Sequence, residues 1–433
     1  MTQINRRKLF SASAVFAAVA LAASVMPAQA ANEVGVTATS IKFGMTSPKS
    51  GAAAPGYEKI PGAIKAYFDY VNANGGINGR KLTLVSRDDQ YVPATAVQNA
   101  IKLIGTDKVF ALLGTLGTAS TKAITGPTGP ATVYKVPTLF VNTGFSGFAD
   151  KKKYPNSFAL LPSYVMEAKI MAKYIKDKYA GKKIGIVYQD DDFGKDALAG
   201  FKAAGMTFDS YVPYASLSQA VATVPPTWIT KLKKDGAEVV VMFGVSSATT
   251  ALLGNAYAGA YRPQWILASI GGDATTIASS KKIPVSFMTG AKGLSFAPSP
   301  IDTSDEYIAK FMEINTKYNP GVAFDNNIVA GMTTAFLTAQ AVKAAGLNLT
   351  RKGIVAAIEK SGASFATPTL APLAYSSTSH VGATGYWIGT YDSKGGLVHD
   401  GDKYTVYTTD SGSGLVVEST WKRPAMPENG LPK

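Results

Sequence analysis

Short apolar, β-branched runs alternate with helix-length amphipathic stretches along most of this 433-residue chain, and that rhythm restricts the fold more than any other feature. Ile41–Thr46, Leu82–Ser86, Val109–Leu113 and Thr138–Val141 are predicted strands, with predicted helices over Ala63–Asn74 and Val92–Gly105 between them. The alternation resumes with a strand at Ile184–Tyr188, a helix over Phe193–Ala204 and a strand near Val212. A helix before Asp235 and strands at Val239–Phe243 and Trp265–Ala268 complete the second run. Strands that are apolar on both faces need cover on both faces. A helix between consecutive strands supplies that cover by crossing over, which sets the next strand parallel. The reading is therefore an α/β protein with parallel sheets, in two comparable units over residues 31–160 and 163–294. Two long helices, Ser304–Tyr318 and Asn327–Ala345, and a shorter one at Lys352–Lys360 follow, then strand-like aromatic segments at Gly385–Tyr391 and Tyr404–Thr408. Pro298–Pro300 and Pro368–Pro372 read as crossings between lobes, and the tail Lys422–Lys433 as poorly ordered.

The N-terminus bears on the compartment. Arg6, Arg7 and Lys8 precede an Ala-rich apolar run, Leu9–Met26, which ends at Pro27-Ala28-Gln29-Ala30. A charged start, an apolar middle and a small-x-small end describe a cleavable export signal through Ala30. Asn5-Arg6-Arg7-Lys8-Leu9-Phe10 is similar to a twin-arginine signal. The chain has no cysteine, which excludes disulfides, thiol chemistry and a lipid anchor on a processed cysteine; a free periplasmic protein is expected. Removing the three basic signal residues lowers the formal charge from +14 to about +11. The lysines are scattered, with one compact run at Lys151–Lys153, so a solvated basic surface is expected and no nucleic-acid partner.

Catalytic patterns are sparse. Asp192-Phe193-Gly194 matches the magnesium triplet of kinases, but no Gly-rich loop or His-Arg-Asp segment accompanies it. Asp190–Asp192 reads as an exposed acidic loop rather than a cation site. There is no Gly-x-Ser-x-Gly, phosphate-loop or His-Glu-x-x-His pattern, and the two histidines, His380 and His399, lie outside any motif. No enzyme activity, cofactor or metal is expected; a hydrolase stays as the different-class alternative.

Several segments resemble the branched-chain amino-acid-binding family of periplasmic receptors, which has the type I periplasmic binding fold. They are Ser47-Pro48-Lys49-Ser50-Gly51, the run from Tyr70 through Asn74-Gly75-Gly76-Ile77-Asn78-Gly79-Arg80 to Leu82, Asp88-Asp89, Tyr188–Gly194 and Val241-Met242-Phe243-Gly244. The resemblance implies two lobes joined by three hinge crossings: 31–162 with 295–385, and 163–294 with 386–433. It also implies a monomer that closes on one small molecule and passes it to the membrane permease of an ABC importer; a subunit that senses the ligand for a signalling receptor would need the same closure. Carried over position by position, it places Thr118 and Ala119 in the loop that holds a ligand carboxylate. Thr143, Gly144 and Phe145 fall in a second loop, Tyr57 and Phe193 at aromatic positions of the two lobes, and Gly244 and Ser246 at a backbone-rich contact. Thr118 is also suited to cap the helix it precedes, whose free N–H groups attract an anion. One position departs from the family: Ile270 stands where an acid is expected to pair with the ligand's ammonium group. Asp273 either replaces that acid through a shifted loop or caps the next helix. An unpaired buried ammonium is costly, so the expected ligand widens from an amino acid to a related small carboxylate, amide or aromatic compound.

Overall fold

The computed structural model describes residues 33–216 and 227–432; the export signal read in residues 1–30 lies outside them. The first sheet comprises β1 (Ser40–Ser47), β2 (Lys81–Asp88), β3 (Ala111–Leu113), β4 (Thr138–Val141) and β5 (Ser157–Ala159). Its order is β2-β1-β3-β4-β5, with every pair parallel. The connecting helices are α1 (Ile60–Ala73), α2 (Pro93–Gly105), α3 (Thr118–Thr125) and the single turn α4 (Pro130–Val133). Two cores form, one on each face. Ile41, Phe43 and Met45 pack with Ile64 and Phe68 of α1, while Leu112 and Val109 pack with Ala100 and Leu103 of α2.

The second sheet starts from α5 (Tyr164–Lys178) and runs through β6 (Ile184–Gln189), α6 (Asp192–Ala203), β7 (Ser210–Tyr214), α7 (Thr227–Lys234) and β8 (Val239–Phe243). It continues with α8 (Ser246–Ala258), β9 (Gln264–Leu267), α9 (Ala274–Ser279) and β10 (Lys292–Ser295). These strands are parallel, in the order β7-β6-β8-β9-β10. The chain then returns to the first lobe as α10 (Glu306–Tyr318), α11 (Asn326–Ala345) and α12 (Arg351–Ser361). Tyr67 of α1 meets Phe311 of α10 and Phe336 of α11 edge-on, at 6.1 and 5.8 Å between ring centroids. α11 is long and apolar enough to cross a membrane, yet 78% of its apolar window is buried here as the central helix of this core. A hairpin of β11 (Leu373–Tyr375) and β12 (His380–Ala383) closes against β5, and β13 (Gly385–Tyr391), β14 (Leu397–His399), β15 (Val406–Thr408) and β16 (Val417–Glu418) extend the second sheet. β13 lies antiparallel to β10, so this sheet is mixed rather than wholly parallel.

Ahead of its C-terminal segment the chain passes between lobes three times, at 160–163, 296–305 and Thr384. Pro298–Pro300 lies in the second passage, as expected. Pro368–Pro372 does not cross. It is bonded alongside that passage, Leu370 N–H donating to Phe296 O at 2.8 Å, and leads back into the first-lobe hairpin. The tail also departs from expectation. Instead of trailing from the second lobe it lies on the first, where Tyr67 Oη donates to Gly430 O at 2.6 Å and Tyr307 Oη to Pro424 O at 2.9 Å. Tyrosine hydroxyls far upstream order this segment, a tie invisible in its own Pro-rich composition.

Helix contact in the second lobe depends on a missing side chain. A Cβ on Gly200 of α6 would stand 2.5 Å from Val165 O and 2.7 Å from Ala168 Cβ of α5. Gly200→Ala is therefore expected to force α5 and α6 apart and to cost about 1–3 kcal/mol, read as a lower urea midpoint with an unchanged m-value.

Candidate functional site

Ligands of open α/β sheets bind beyond the carboxyl ends of the strands. Here the loops after β1, β2, β3 and β4 face those after β6, β8 and β9 across a cleft. The two sides are in contact. Tyr57 Oη donates to Ile270 O at 2.9 Å, and Ser146 gives Asp196 its N–H at 2.8 Å and its hydroxyl at 2.5 Å. Lys122 pairs with Asp192, and Asn326 N–H reaches Asp273 Oδ2 at 3.3 Å. The lobes are thus closed on one another.

The two threonine loops converge. Thr118 and Thr143 share a hydrogen bond of 2.8 Å between hydroxyls, and both are buried. Thr118 is not the helix cap, however. It is the first residue of α3, and Gly117 at φ +90° takes the cap position without a side chain, which leaves the Thr118 hydroxyl to face Thr143. Ala119 is half-buried in the same first turn. Gly144 is fastened from the hinge side: Tyr164 N–H donates to its carbonyl at 2.6 Å, and a Cβ there would stand 2.5 Å from Pro162 O. Phe145 is half-buried, edge-on to Phe148 with Lys122 Nζ 4.8 Å from its ring centre.

In the second lobe, Phe193 is buried at the start of α6 against Tyr164 and Phe243, with centroids 4.6 and 5.4 Å away. Gly244 lies under Tyr214, whose hydroxyl would be 2.3 Å from a Cβ there. Ser246 opens α8 and donates to Ile270 O at 3.4 Å. Asp273 caps α9, accepting Thr276 N–H at 2.6 Å, and lines the hinge side of the cleft with Tyr57, Asn142, Ser269 and Ile270. Of the two readings of Asp273, the cap is therefore the one observed, and it sits at the cleft wall. That cavity is about 50 Å³ and, among the described residues, has no cation in its lining. A larger groove between α5 and β15 lies away from the strand ends.

Sequence reasoning missed four residues. Tyr91, Tyr164 and Tyr214 are buried and gather around Tyr57; burial raises all four phenol pKa values, that of Tyr57 to about 12. Tyr91 stands at φ +64° after Gln90 at φ +53°, in the left-handed region that a bulky residue enters only when held there. Asp89 is the holder. Its buried carboxylate accepts Tyr91 N–H and the Thr46 hydroxyl, both at 2.9 Å, and burial pushes its pKa up to about 6. Gly117 makes room, since a Cβ would lie 2.6 Å from the Tyr91 ring. The fourth residue is Glu167 of α5, fully buried behind the cleft wall. One carboxyl oxygen accepts Ser269 N–H at 2.6 Å, and burial pushes the pKa up to about 7. Alternation of apolar and polar residues carries no signal for any of these. The Asp88-Asp89 pair was the one visible hint of a fixed turn.

Both histidines are held by neighbouring groups. His380 is buried, stacked 3.8 Å from Phe158, with Nε2 on Glu359 at 3.0 Å and Nδ1 on Ser157 O at 3.1 Å. His399 bonds Gly401 O at 2.8 Å and lines the groove between α5 and β15.

A sequence model of the family described as periplasmic binding protein matches residues 40–396. Leu/Ile/Val-binding protein homolog 7 of Brucella suis is 26% identical over 241 residues, which is 54% of this chain and 59% of that relative's length. The crystal structure of a substrate-binding periplasmic protein from Ralstonia solanacearum superposes with a TM-score of 0.74 at 22% identity, covering 88% of this chain and 100% of that one. A fatty acid ABC transporter substrate-binding protein from Thermomonospora curvata superposes with a TM-score of 0.73 at 21% identity, covering 91% and 97%. At these identities the likeness establishes the fold.

Glu167 yields a pH prediction. Its folded pKa of about 7 lies above the ordinary 4.5, so the native state binds this proton more tightly than the unfolded chain does. The associated stability is present below pH 4.5 and is lost as pH rises through 7, by at most about 3 kcal/mol. Glu167→Gln should remove that loss. The melting temperature of the variant, relative to wild type, is expected to climb between pH 5 and pH 8 in paired thermal melts.

Proposed function

The chain belongs to the periplasmic binding protein family, and from that premise we propose that it is the receptor of an ABC importer, capturing a small carboxylate by closure of its lobes. It works in the periplasm and delivers its ligand to a membrane permease. The observation that carries the ligand class is the pairing of Thr118 with Thr143 at the start of α3, opposite a wall of neutral tyrosines. Two hydroxyls and the free N–H groups of a helix start suit an oxygen anion without a buried cation beside it. Tyr57, Tyr91, Tyr164 and Tyr214 offer apolar faces with hydroxyl rims, which suit an aromatic or branched body. Phe145, Phe193, Gly144 and Gly244 shape the walls, Ala119 supplies an α3 amide, and Ser246 completes the second-lobe rim.

The ammonium end is where this receptor parts from amino-acid binders. Ile270 contributes a carbonyl that already accepts from Tyr57 and Ser246. Asp273 is engaged by Thr276 and Asn326. An amine placed here would lose water without gaining a dedicated carboxylate. A fold relative named for fatty acid transport is in keeping with ligands that lack the amine.

Calorimetry with leucine, 4-methylpentanoate, benzoate and 4-hydroxybenzoate on one preparation tests the reading. The carboxylates without an amine should bind more tightly than leucine. Thr118→Val should weaken the best of them by about 1.5–3 kcal/mol, the worth of a hydrogen bond to a charged group, with native circular dichroism. Tight leucine binding that survives Asp273→Ala would overturn the proposed ligand class.

A further inference from the structure

After β16 the chain does not end on the second lobe. Ser419 N–H donates to Val406 O of β15 at 2.7 Å, its last second-lobe anchor. Five residues later the Pro424 carbonyl accepts Tyr307 Oη of α10. Met426 N–H then donates to Glu306 at 2.8 Å, and Tyr67 and Tyr70 of α1 hold the carbonyls of Gly430 and Asn429. The segment runs beside the second crossing, and Arg423 grips it. Its guanidinium pairs with Asp305, where that crossing enters α10, and donates to Pro368 O at 3.2 Å. It also lies 4.7 Å over the Tyr307 ring. Pro368 belongs to the stretch that Leu370 ties to Phe296 in the same crossing.

A fully extended chain covers at most about 3.3–3.6 Å per residue, so five residues span roughly 17 Å. A motion that carries β15 farther than that from α10 must strip the segment from one anchor or the other. We propose that residues Ser419–Leu431 form a fourth hinge element, with Arg423 as the positioning residue that sets how far the lobes part. Three crossings define the hinge axis, and the fourth limits the swing about it. A segment that merely stapled the first lobe would need neither the Val406 anchor nor the grip on the second crossing.

The test is free of ligand, so the proposed transport role can fail without affecting it. The chain has no cysteine, which lets spin labels be placed at Lys102→Cys on α2 and Lys202→Cys on α6, both exposed. Double electron–electron resonance on the wild-type background should give one narrow distance distribution. Arg423→Ala should shift it to longer distance and broaden it. Arg423→Lys should fall between, because an ammonium can pair with Asp305 but lacks the fork that also reaches Pro368 O. The double variant Tyr67→Phe/Tyr70→Phe, which keeps both rings and removes the far anchors, should open in the same direction and stands in if Arg423→Ala does not fold. Distributions that superimpose on wild type, even with a lowered melting temperature, would make the segment a staple and overturn the proposal.

Discussion

Backbone that passes between two lobes is irregular, buried and still obliged to satisfy its polar groups. In this protein the crossings do so by bonding to one another and to their neighbours. Ala383 N–H donates to Leu160 O at 3.0 Å, Tyr386 Oη to Pro162 O at 3.2 Å, and Trp387 Nε1 to Ala297 O at 2.8 Å. Each bond joins residues more than 80 positions apart. The hinge is therefore a small hydrogen-bonded layer rather than three independent strings, and the cleft inherits its geometry. Tyr164 and Glu167 follow directly from the first crossing, and Phe296 and Ala297 of the second line the cavity.

Polarity in the cleft follows from the same layer. The wall is built from phenols that burial keeps neutral, from backbone carbonyls, and from carboxylates whose partners are fixed by helix starts. Asp191 caps α6, Asp273 caps α9 and Asp325 caps α11. Asp325 also holds Lys59 at 2.5 Å, and burial with Asp273 nearby pushes its pKa up to about 6. Acids that hold secondary structure in place cannot also be mobile partners for a ligand cation without weakening their helices.

Much of the architecture was legible because it rests on local periodicity. The strands and helices read from apolar spacing fall within a few residues of observed elements, whereas β5 (Ser157–Ala159) and α5 (Tyr164–Lys178) were not read. Thr118 and Thr143, read from separate loops, do meet. What stayed hidden is what distant contacts decide. Thr118 reads as a cap by type, but Gly117 reaches a backbone angle that threonine avoids, so the cap moved and the hydroxyl was released. Tyr91 occupies a strained turn only because Asp89, Thr46 and Asn99 are buried beneath it. Residues 422–432 look like a loose tail in composition, and their order comes from hydroxyls on α1 and α10.

The placement of those hydroxyls bears on how the molecule is made. Tyr67 and Tyr70 wait for acceptors 363 and 359 positions downstream, and the core around Tyr67 also needs Phe311 and Phe336. A nascent chain emerging in order can finish the second sheet's parallel strands while the first lobe still lacks a wall. Contacts of such long sequence separation are slow to form and reward the chain only when nearly all of it is present. The half synthesised first is thus completed only after residues 424–430 have emerged.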